Sequence, residues 1–256
     1  MTRCRLIVLC LIWFSASGIC VAESQTSLPE NLKAQADSLY SAQKYEESVA
    51  LYEQLLKGGQ SSSVLYNLGN AYYRLHDLGH AILNYERAAM LSPGDRDVRF
   101  NLSLARSKTV DKIESSDDFF IYGFKSVINR YSSDSWGHIC IGAFVLMCVC
   151  FIVYRFSSRL LLRKIGFFAA LLFLLVVILG NIFAYAQMKS TSGGTAAIVM
   201  NVSDVKSSPS VSGSTLFKLH EGTKVSILDN SMKQWAKIEL ADGKTGWIFK
   251  KQIESI

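Results

Sequence analysis

Residues 62–93 of this chain read SSVLYNLGNAYYRLHDLGHAILNYERAAMLSP, and this stretch decides the fold of the N-terminal half. Apolar and aromatic residues recur every three or four positions on both sides of a turn at His76, which predicts two helices packed as a hairpin. Gly69 and Ala81 are small because a larger side chain would hold the two helices apart where they cross. Pro93 cannot continue a helix, so the second helix ends before it.

The whole stretch resembles a tetratricopeptide repeat. Eight positions agree in order with that family: Leu65, Leu68, Gly69, Tyr72, Ala81, Tyr85, Ala88 and Pro93. A weaker copy lies upstream, where Tyr52 precedes Tyr85 by 33 residues, close to the family period of about 34. Downstream, residues 95–108 predict one closing helix. We therefore expect an α-helical solenoid of two repeats and a closing helix over residues 23–112, a class of domain that binds partner proteins.

The first helices of such repeats line a groove for partner peptides. The resemblance implies that six side chains face this groove: Lys33, Asp37, Tyr66, Asn70, Tyr73 and Arg74. Some family members clamp a C-terminal carboxylate with an early Lys and Asn and a cationic pair in the third repeat. Lys33 and Asn70 fit the early positions, but the third-repeat pair is Phe100 and Leu104, which argues against such a clamp. The alternative is that the tyrosines are packing residues, but the resemblance favours peptide or protein binding in the groove.

Residues 1–22 resemble a secretory signal peptide. Arg3 and Arg5 precede a nine-residue apolar run, Leu6 to Phe14, and Ala22 ends a plausible small-residue cleavage site. The run is too short to span a bilayer comfortably. No cysteine occurs in residues 23–135 or 188–256, so we expect exported domains without disulfides or thiolate metal sites.

Two apolar segments, residues 136–154 and 165–187, are long enough to cross a hydrocarbon core of about 30 Å. The loop between them, residues 155–164, contains four cations and is therefore predicted to be cytoplasmic. Because the signal peptide places the first domain outside and two crossings return the chain, both soluble domains are expected in the periplasm. Residues 113–135 are predicted to be a linker or an interfacial helix; for the aromatic-rich part, residues 119–131, the alternative is a helix packed on the repeat domain.

Residues 188–195 predict a short linker, and residues 196–256 predict a small all-β domain. Short apolar runs alternate there with turn signals such as Glu221-Gly222 and Asp242-Gly243. The order of these elements, ending in Gly246-Trp247, resembles a bacterial SH3-like barrel, whose relatives often bind cell-wall peptides. Trp235 and Trp247 are candidate residues of a binding face, with packing in the core as the alternative. The acidic-aromatic motif for proline-rich ligands is absent from the sequence.

Charge and motifs exclude several other functions. Residues 23–118 contain 10 Lys and Arg against 14 Asp and Glu, whereas residues 119–195 contain 7 against 1. The positive charge therefore surrounds the apolar segments and indicates topology and lipid contact, not nucleic-acid binding. The sequence shows no phosphate-binding loop, nucleophile elbow or zinc-protease motif. We expect no catalytic residue, metal or cofactor, and a redox role for the cysteines of the first apolar segment is the least favoured hypothesis.

The order of signal peptide, repeats, two-helix hairpin and SH3-like domain resembles the BatE-type proteins of the Bat aerotolerance operon. This resemblance implies a non-enzymatic scaffold, anchored in the inner membrane, whose groove holds other Bat proteins, some with von Willebrand A-type domains. The alternative hypothesis is a murein-binding module that acts through the SH3-like domain and binds peptidoglycan.

Overall fold

A computed structural model describes residues 27–113, 131–191 and 196–256 of the chain. Within these ranges a helical repeat domain is followed by a pair of long apolar helices and then by a C-terminal β domain. This order confirms the predicted fold class. The predicted signal peptide and most of the aromatic segment before the first apolar helix lie outside the described residues.

The described part of the repeat domain contains five helices: α1 (Ser27–Ser41), α2 (Tyr45–Leu56), α3 (Ser62–Arg74), α4 (Leu78–Leu91) and α5 (Arg96–Lys108). Gln43 and His76 close the turns after α1 and α3 with positive φ angles of 63° and 62°, and they lie one repeat period apart. The side chain of Asp77 caps α4 by accepting a hydrogen bond from the His80 amide. These equivalent turns bring α1 and α2, and then α3 and α4, into antiparallel pairs.

The close approach of α3 to α4 depends on Gly69. A Cβ atom at this position would lie 2.7 Å from the ring of Tyr85, whose side chain is only 1% exposed. The small residue predicted at the helix crossing is therefore required by an aromatic ring of the facing helix.

Two long helices form the middle of the chain: α6 (Ser133–Phe156) and α7 (Leu160–Thr191). They pack against each other through small residues, since a Cβ at Gly166 would lie 2.9 Å from the backbone of α6. Both helices are longer than the predicted apolar segments, and the connecting loop is residues 157–159 instead of 155–164. The helices extend because the side chain of Ser132 caps α6 and because arginine and lysine are good helix formers. Residues 188–191, expected in a linker, continue α7.

Both helices are long and apolar enough to cross a membrane. The qualifying segments are Asp134–Phe156, with 23 residues, and Leu160–Met188, with 29 residues. The shorter one corresponds to about 35 Å of helix. Large apolar side chains project outward from both helices, with Ile141 of α6 65% exposed and Leu161 of α7 69% exposed. An apolar surface of this extent is unfavourable in water and suits a hydrocarbon environment.

The C-terminal β domain is a seven-stranded antiparallel sheet. Its strands are β1 (Ala196–Val199), β2 (Ser203–Lys206), β3 (Thr215–Leu219), β4 (Lys224–Asp229), β5 (Trp235–Glu239), β6 (Thr245–Phe249) and β7 (Ile253–Ser255), in the order β3-β2-β6-β5-β4-β1-β7. Alternate residues of the strands form a core that includes the fully buried Val205, Ile238 and Ile248. At Gly246 a Cβ would lie 2.3 Å from Val205, so β2 and β6 approach each other only because this residue has no side chain.

The β domain packs directly on the repeat domain, a contact that the sequence did not predict. Apolar side chains of the two domains form one cluster: Ile198, Met200 and Ile256 from the β domain, and Ala81, Ile82 and Leu83 from α4. Gly222 lies at the contact with a φ angle of +81°, where a Cβ would lie 2.8 Å from Ile82 and from Thr109. This glycine therefore meets both a backbone requirement and a steric one.

Polar contacts surround the apolar cluster. Glu86 of α4, whose side chain is 7% exposed, accepts hydrogen bonds from Arg106 and, at 3.0 Å, from Lys224 of the β domain. Asp111 accepts hydrogen bonds from the His220 amide at 2.7 Å and from the Thr223 hydroxyl at 2.6 Å. The contacts made by Lys224, His220 and Thr223 join residues more than 100 positions apart in the sequence, so they belong to the tertiary structure.

The interface contacts favour the ionised carboxylates. Burial by itself would raise the pKa of the Glu86 carboxyl, but the charges of Lys224 and Arg106 outweigh burial and hold that pKa below its usual value. Burial also opposes ionisation of Asp111, and the hydrogen bonds from His220 and Thr223 lower the pKa of its carboxyl below the usual value.

Acidification should therefore weaken the domain contact. Both carboxyls have lower pKa values in the folded chain than in the unfolded chain, so they stabilise the contact above about pH 4.5 and lose this contribution as the pH falls through the folded values. We expect the double variant Glu86→Gln, Asp111→Asn to show a weaker dependence of melting temperature on pH between neutral and acidic buffer. Glu46→Gln, which changes an exposed carboxyl of α2, is the control. Equal pH dependence in wild type and the double variant would contradict this prediction.

Candidate functional site

The first helices of the repeats and the closing helix line a groove on the repeat domain. One part of it, a cavity of about 190 Å³, is lined by Asp37, Tyr40, Ser41, Tyr52, Asn67 and Asn70. A second cavity of about 210 Å³ is lined by Tyr40, Asn70, Tyr73, Arg74, Tyr85, Asn101 and Leu104. Because Tyr40 and Asn70 line both cavities, the two are adjoining parts of one groove.

Asp37 organises the first part of the groove. One of its carboxylate oxygens accepts hydrogen bonds from the Tyr52 hydroxyl at 2.6 Å and from the Asn67 amide at 2.9 Å, and the other accepts one from Lys33 at 2.9 Å. Burial opposes the ionised form, but the hydrogen bonds from Tyr52 and Lys33 outweigh it and lower the pKa of the Asp37 carboxyl. Lys33 is thus engaged within its own helix, where it orients Asp37.

Asn70 occupies the corresponding position in the second part of the groove. Its amide oxygen accepts hydrogen bonds from the Tyr85 hydroxyl at 2.7 Å and from the Asn101 amide at 2.8 Å. The Asn101 amide also donates to the Tyr66 hydroxyl at 3.0 Å. Within the described part of the chain, no acceptor is bonded to the amide nitrogen of Asn70. Two N–H donors therefore remain for a ligand on a side chain whose orientation is already set by its oxygen.

Aromatic and apolar side chains surround these amides. The rings of Tyr66 and Tyr85 lie 6.1 Å apart, and the Arg74 guanidinium lies 5.0 Å from the ring centroid of Tyr45. On α5, Phe100 and Leu104 are 65% and 38% exposed. The groove thus combines oriented hydrogen-bonding groups with an exposed apolar surface, which suits a polypeptide ligand better than a small polar one.

The structure distributes the six predicted groove residues over two roles. Asp37, Asn70, Tyr73 and Arg74 line the cavities, whereas Lys33 and Tyr66 are bonded to neighbouring groove residues. The sequence interpretation did not include Tyr40, Asn67, Asn101 and Leu104 among the groove residues. The repeat period could have identified two of these residues from the sequence. Asn101 follows Asn67 by one repeat period, and Tyr73 follows Tyr40 by one period.

The two tryptophans of the β domain have different environments. Trp235 is 7% exposed and stacks on Phe249 with ring centroids 3.9 Å apart, so it packs as a core residue. Trp247 is half-buried and lies opposite Lys206 on β2 and Lys237 on β5. The proposed binding face formed by both tryptophans is thus reduced to Trp247, because the ring of Trp235 is covered.

Comparisons with known families agree with these structures. Residues 62–95 match the tetratricopeptide repeat, and residues 201–254 match the bacterial SH3 domain. The chain contains both of these modules. The first match coincides with α3, α4 and the following turn, and the second covers β2 through most of β7. Comparison with curated proteins gave no match.

Tetratricopeptide repeats and bacterial SH3 domains are typically binding modules. The tetratricopeptide repeat indicates protein–protein interaction, and the bacterial SH3 domain is compatible with binding to the cell wall. Among the described residues, no group of three or more His, Cys, Asp or Glu side chains is arranged to hold a metal ion. The groove is accordingly the candidate functional site.

Proposed function

We propose that this protein is a non-catalytic, membrane-anchored scaffold that binds a partner protein in its tetratricopeptide groove. The observation that carries the proposal is Asn70, which lines both cavities: its oxygen is held by Tyr85 and Asn101, while its two N–H donors have no acceptor among the described residues. An amide held in this way is ready to bind a peptide carbonyl without losing further side-chain entropy.

We further propose that both soluble domains lie in the periplasm, on the same side of the inner membrane. The contact between the domains supports this topology, because Glu86 and Lys224 are 3.0 Å apart and a hydrocarbon core would separate opposite sides by about 30 Å. The loop between α6 and α7 is then on the other side. Arg159 in this loop and the cations Arg155, Arg163 and Lys164 beside it favour the cytoplasm for the loop.

The partners that this organisation suggests are other Bat proteins. The chain order resembles BatE-type proteins, and a groove that presents amides and exposed apolar side chains fits a segment of a protein such as one with a von Willebrand A-type domain. A role in an aerotolerance complex follows from this resemblance. The bacterial SH3 domain supports a second candidate function, peptidoglycan binding. The half-buried Trp247 is the candidate binding residue for this function.

Asn70→Asp combined with Tyr73→Ala should weaken partner binding. Aspartate retains the oxygen that accepts hydrogen bonds from Tyr85 and Asn101 but lacks the N–H donors, so the fold is kept while the ligand contact is lost. We expect a loss of about 1–3 kcal/mol, or about 5- to 150-fold in affinity. The measurement is crosslinking in intact cells, purification of the full chain and mass spectrometry of the partners.

The control is Asn31→Asp, which makes the same charge change at an exposed position of α1. Partner recovery should be unchanged in this control. Equal recovery of every partner by wild type and the groove variant would contradict the proposed function. Recovery of murein fragments by both forms, without a protein partner, would assign the function to the bacterial SH3 domain instead.

A further inference from the structure

The groove continues beyond its second cavity into a third one of about 580 Å³, lined by Tyr73, Arg74, His76, Leu78 and Lys108. Tyr73 and Arg74 line both the second and the third cavity, so a ligand in the groove can extend into it. We call this third cavity, with its residues Arg74, His76 and Lys108, the cationic end of the groove.

The three basic residues of the cationic end come from separate elements. Arg74 is in the last turn of α3, His76 is in the turn that follows, and Lys108 is in the last turn of α5. All three are exposed, and none of them forms an ion pair with a described carboxylate. By contrast, Arg106, two residues before Lys108, is paired with Glu86.

This local charge is opposite to that of the surrounding domain. Residues 23–118 contain more acidic than basic residues, yet the third cavity is lined by basic side chains and by no carboxylate among the described residues. Cations in the last turn of a helix interact favourably with the helix dipole, which explains Arg74 and Lys108 separately. The dipole does not explain why both line one cavity at the end of a binding groove.

Arg74 has the geometry to bind a carboxylate. Its guanidinium lies over the ring of Tyr45, which restricts its position, and an arginine fork matches both oxygens of a carboxylate. Beside it, Leu104 lines the second cavity, and Phe100 is one turn earlier on the same helix. Basic and apolar contacts thus follow each other along the groove.

We propose that the cationic end binds acidic side chains of the partner, and that the partner segment is an extended acidic peptide with an apolar residue beside its carboxylates. The apolar residue contacts Leu104 and Phe100, and the carboxylates contact Arg74 and Lys108. This inference rests on the proposed function, since it specifies the chemistry of the ligand in the same groove. It differs from a clamp for a C-terminal carboxylate, which the Phe100 and Leu104 positions disfavour.

The test uses the full chain in detergent and a short labelled peptide of alternating Leu and Glu with an amidated C-terminus. We expect this peptide to bind, to bind more weakly at high salt, and to bind about tenfold more tightly than the matching Leu-Gln peptide. Arg74→Glu with Lys108→Glu should abolish binding. The control is Lys57→Glu with Arg96→Glu, which changes the net charge equally at exposed sites that do not line the cavity.

Three outcomes would overturn the inference: no binding of the Leu-Glu peptide at low salt, equal binding of the Leu-Gln peptide, or an equal loss in the control variant. Partner recovery in cells separates this inference from the proposed function. If recovery depends on Asn70 and Tyr73 but not on Arg74 and Lys108, the groove binds a partner and the acidic ligand is wrong. If recovery depends on neither pair, both proposals fail.

Discussion

Replacing Arg106 and Lys224 together by methionine should destabilise the contact between the two soluble domains by about 3–5 kcal/mol. The Glu86 side chain is 7% exposed, and within the described residues Arg106 and Lys224 are the cations that contact it. Methionine retains most of the apolar stem of both side chains but leaves the Glu86 carboxylate buried without a counter-charge. The cost arises mainly from this unpaired charge, because the two cations themselves are about half exposed and screened by solvent.

A third substitution separates charge from packing. Adding Glu86→Met should recover most of the lost stability, since apolar groups of similar size replace the buried ion cluster. The measurement is hydrogen exchange of the full chain in detergent, read in peptides from α4 and β4, with about 150-fold or faster exchange expected in the double variant. Arg96→Met with Lys233→Met is the control at exposed sites. A triple variant no more stable than the double variant would show that the charge is not the cause.

Gly246→Val should unfold the β domain. A Cβ at this position would lie 2.3 Å from a methyl carbon of Val205 and 3.2 Å from the carbonyl oxygen of Lys206, whereas carbon atoms in contact are about 3.5–4.0 Å apart. Val205 is fully buried in the core of the β domain. We expect a loss of about 3 kcal/mol or more, because the substitution both overpacks the core and separates β2 from β6.

Gly243→Ala is the matched control for this second prediction. Gly243 has a positive φ angle of +86°, but no atom lies within 4 Å of its added Cβ, so alanine there should cost only about 1 kcal/mol. Loss of the near-UV circular dichroism of Trp235 and Trp247 reports unfolding of the β domain. Adding Val205→Ala to the Gly246→Val variant removes the clashing methyl groups, so the double variant should regain part of the folded structure. Equal stability of the Gly246 and Gly243 variants would contradict the steric explanation.

Local patterns allowed much of the fold to be predicted. The spacing of Gly69, Ala81 and Tyr85 predicted the helix pair, because the contact between α3 and α4 involves residues near each other in the chain. The apolar composition of residues 136–154 and 165–187 predicted the two long helices, although not their ends. Charged residues at the ends of those stretches are compatible with helix, so composition underestimates helix length.

The candidate groove was predicted less completely. Asn70 and Arg74, which the repeat resemblance assigns to the groove, line its second cavity, whereas the hydrogen bond from Lys33 to Asp37 was not foreseen. Tyr40 and Asn101 belong to the weaker flanking copies, where fewer family positions agree. Their contribution depends on how α1 and α5 lie against α3, which the sequence of each helix does not specify.

The amino-acid sequence by itself determined the helical repeat, the apolar helix pair and the β domain, because each follows from periodicity, turn residues and composition within a short stretch. The tertiary structure alone decided which surfaces meet. Glu86 and Lys224 are 138 positions apart, and Arg74 and Lys108 reach one cavity from different helices. No local pattern encodes such distances, since they arise only when separate elements pack to bury their apolar faces.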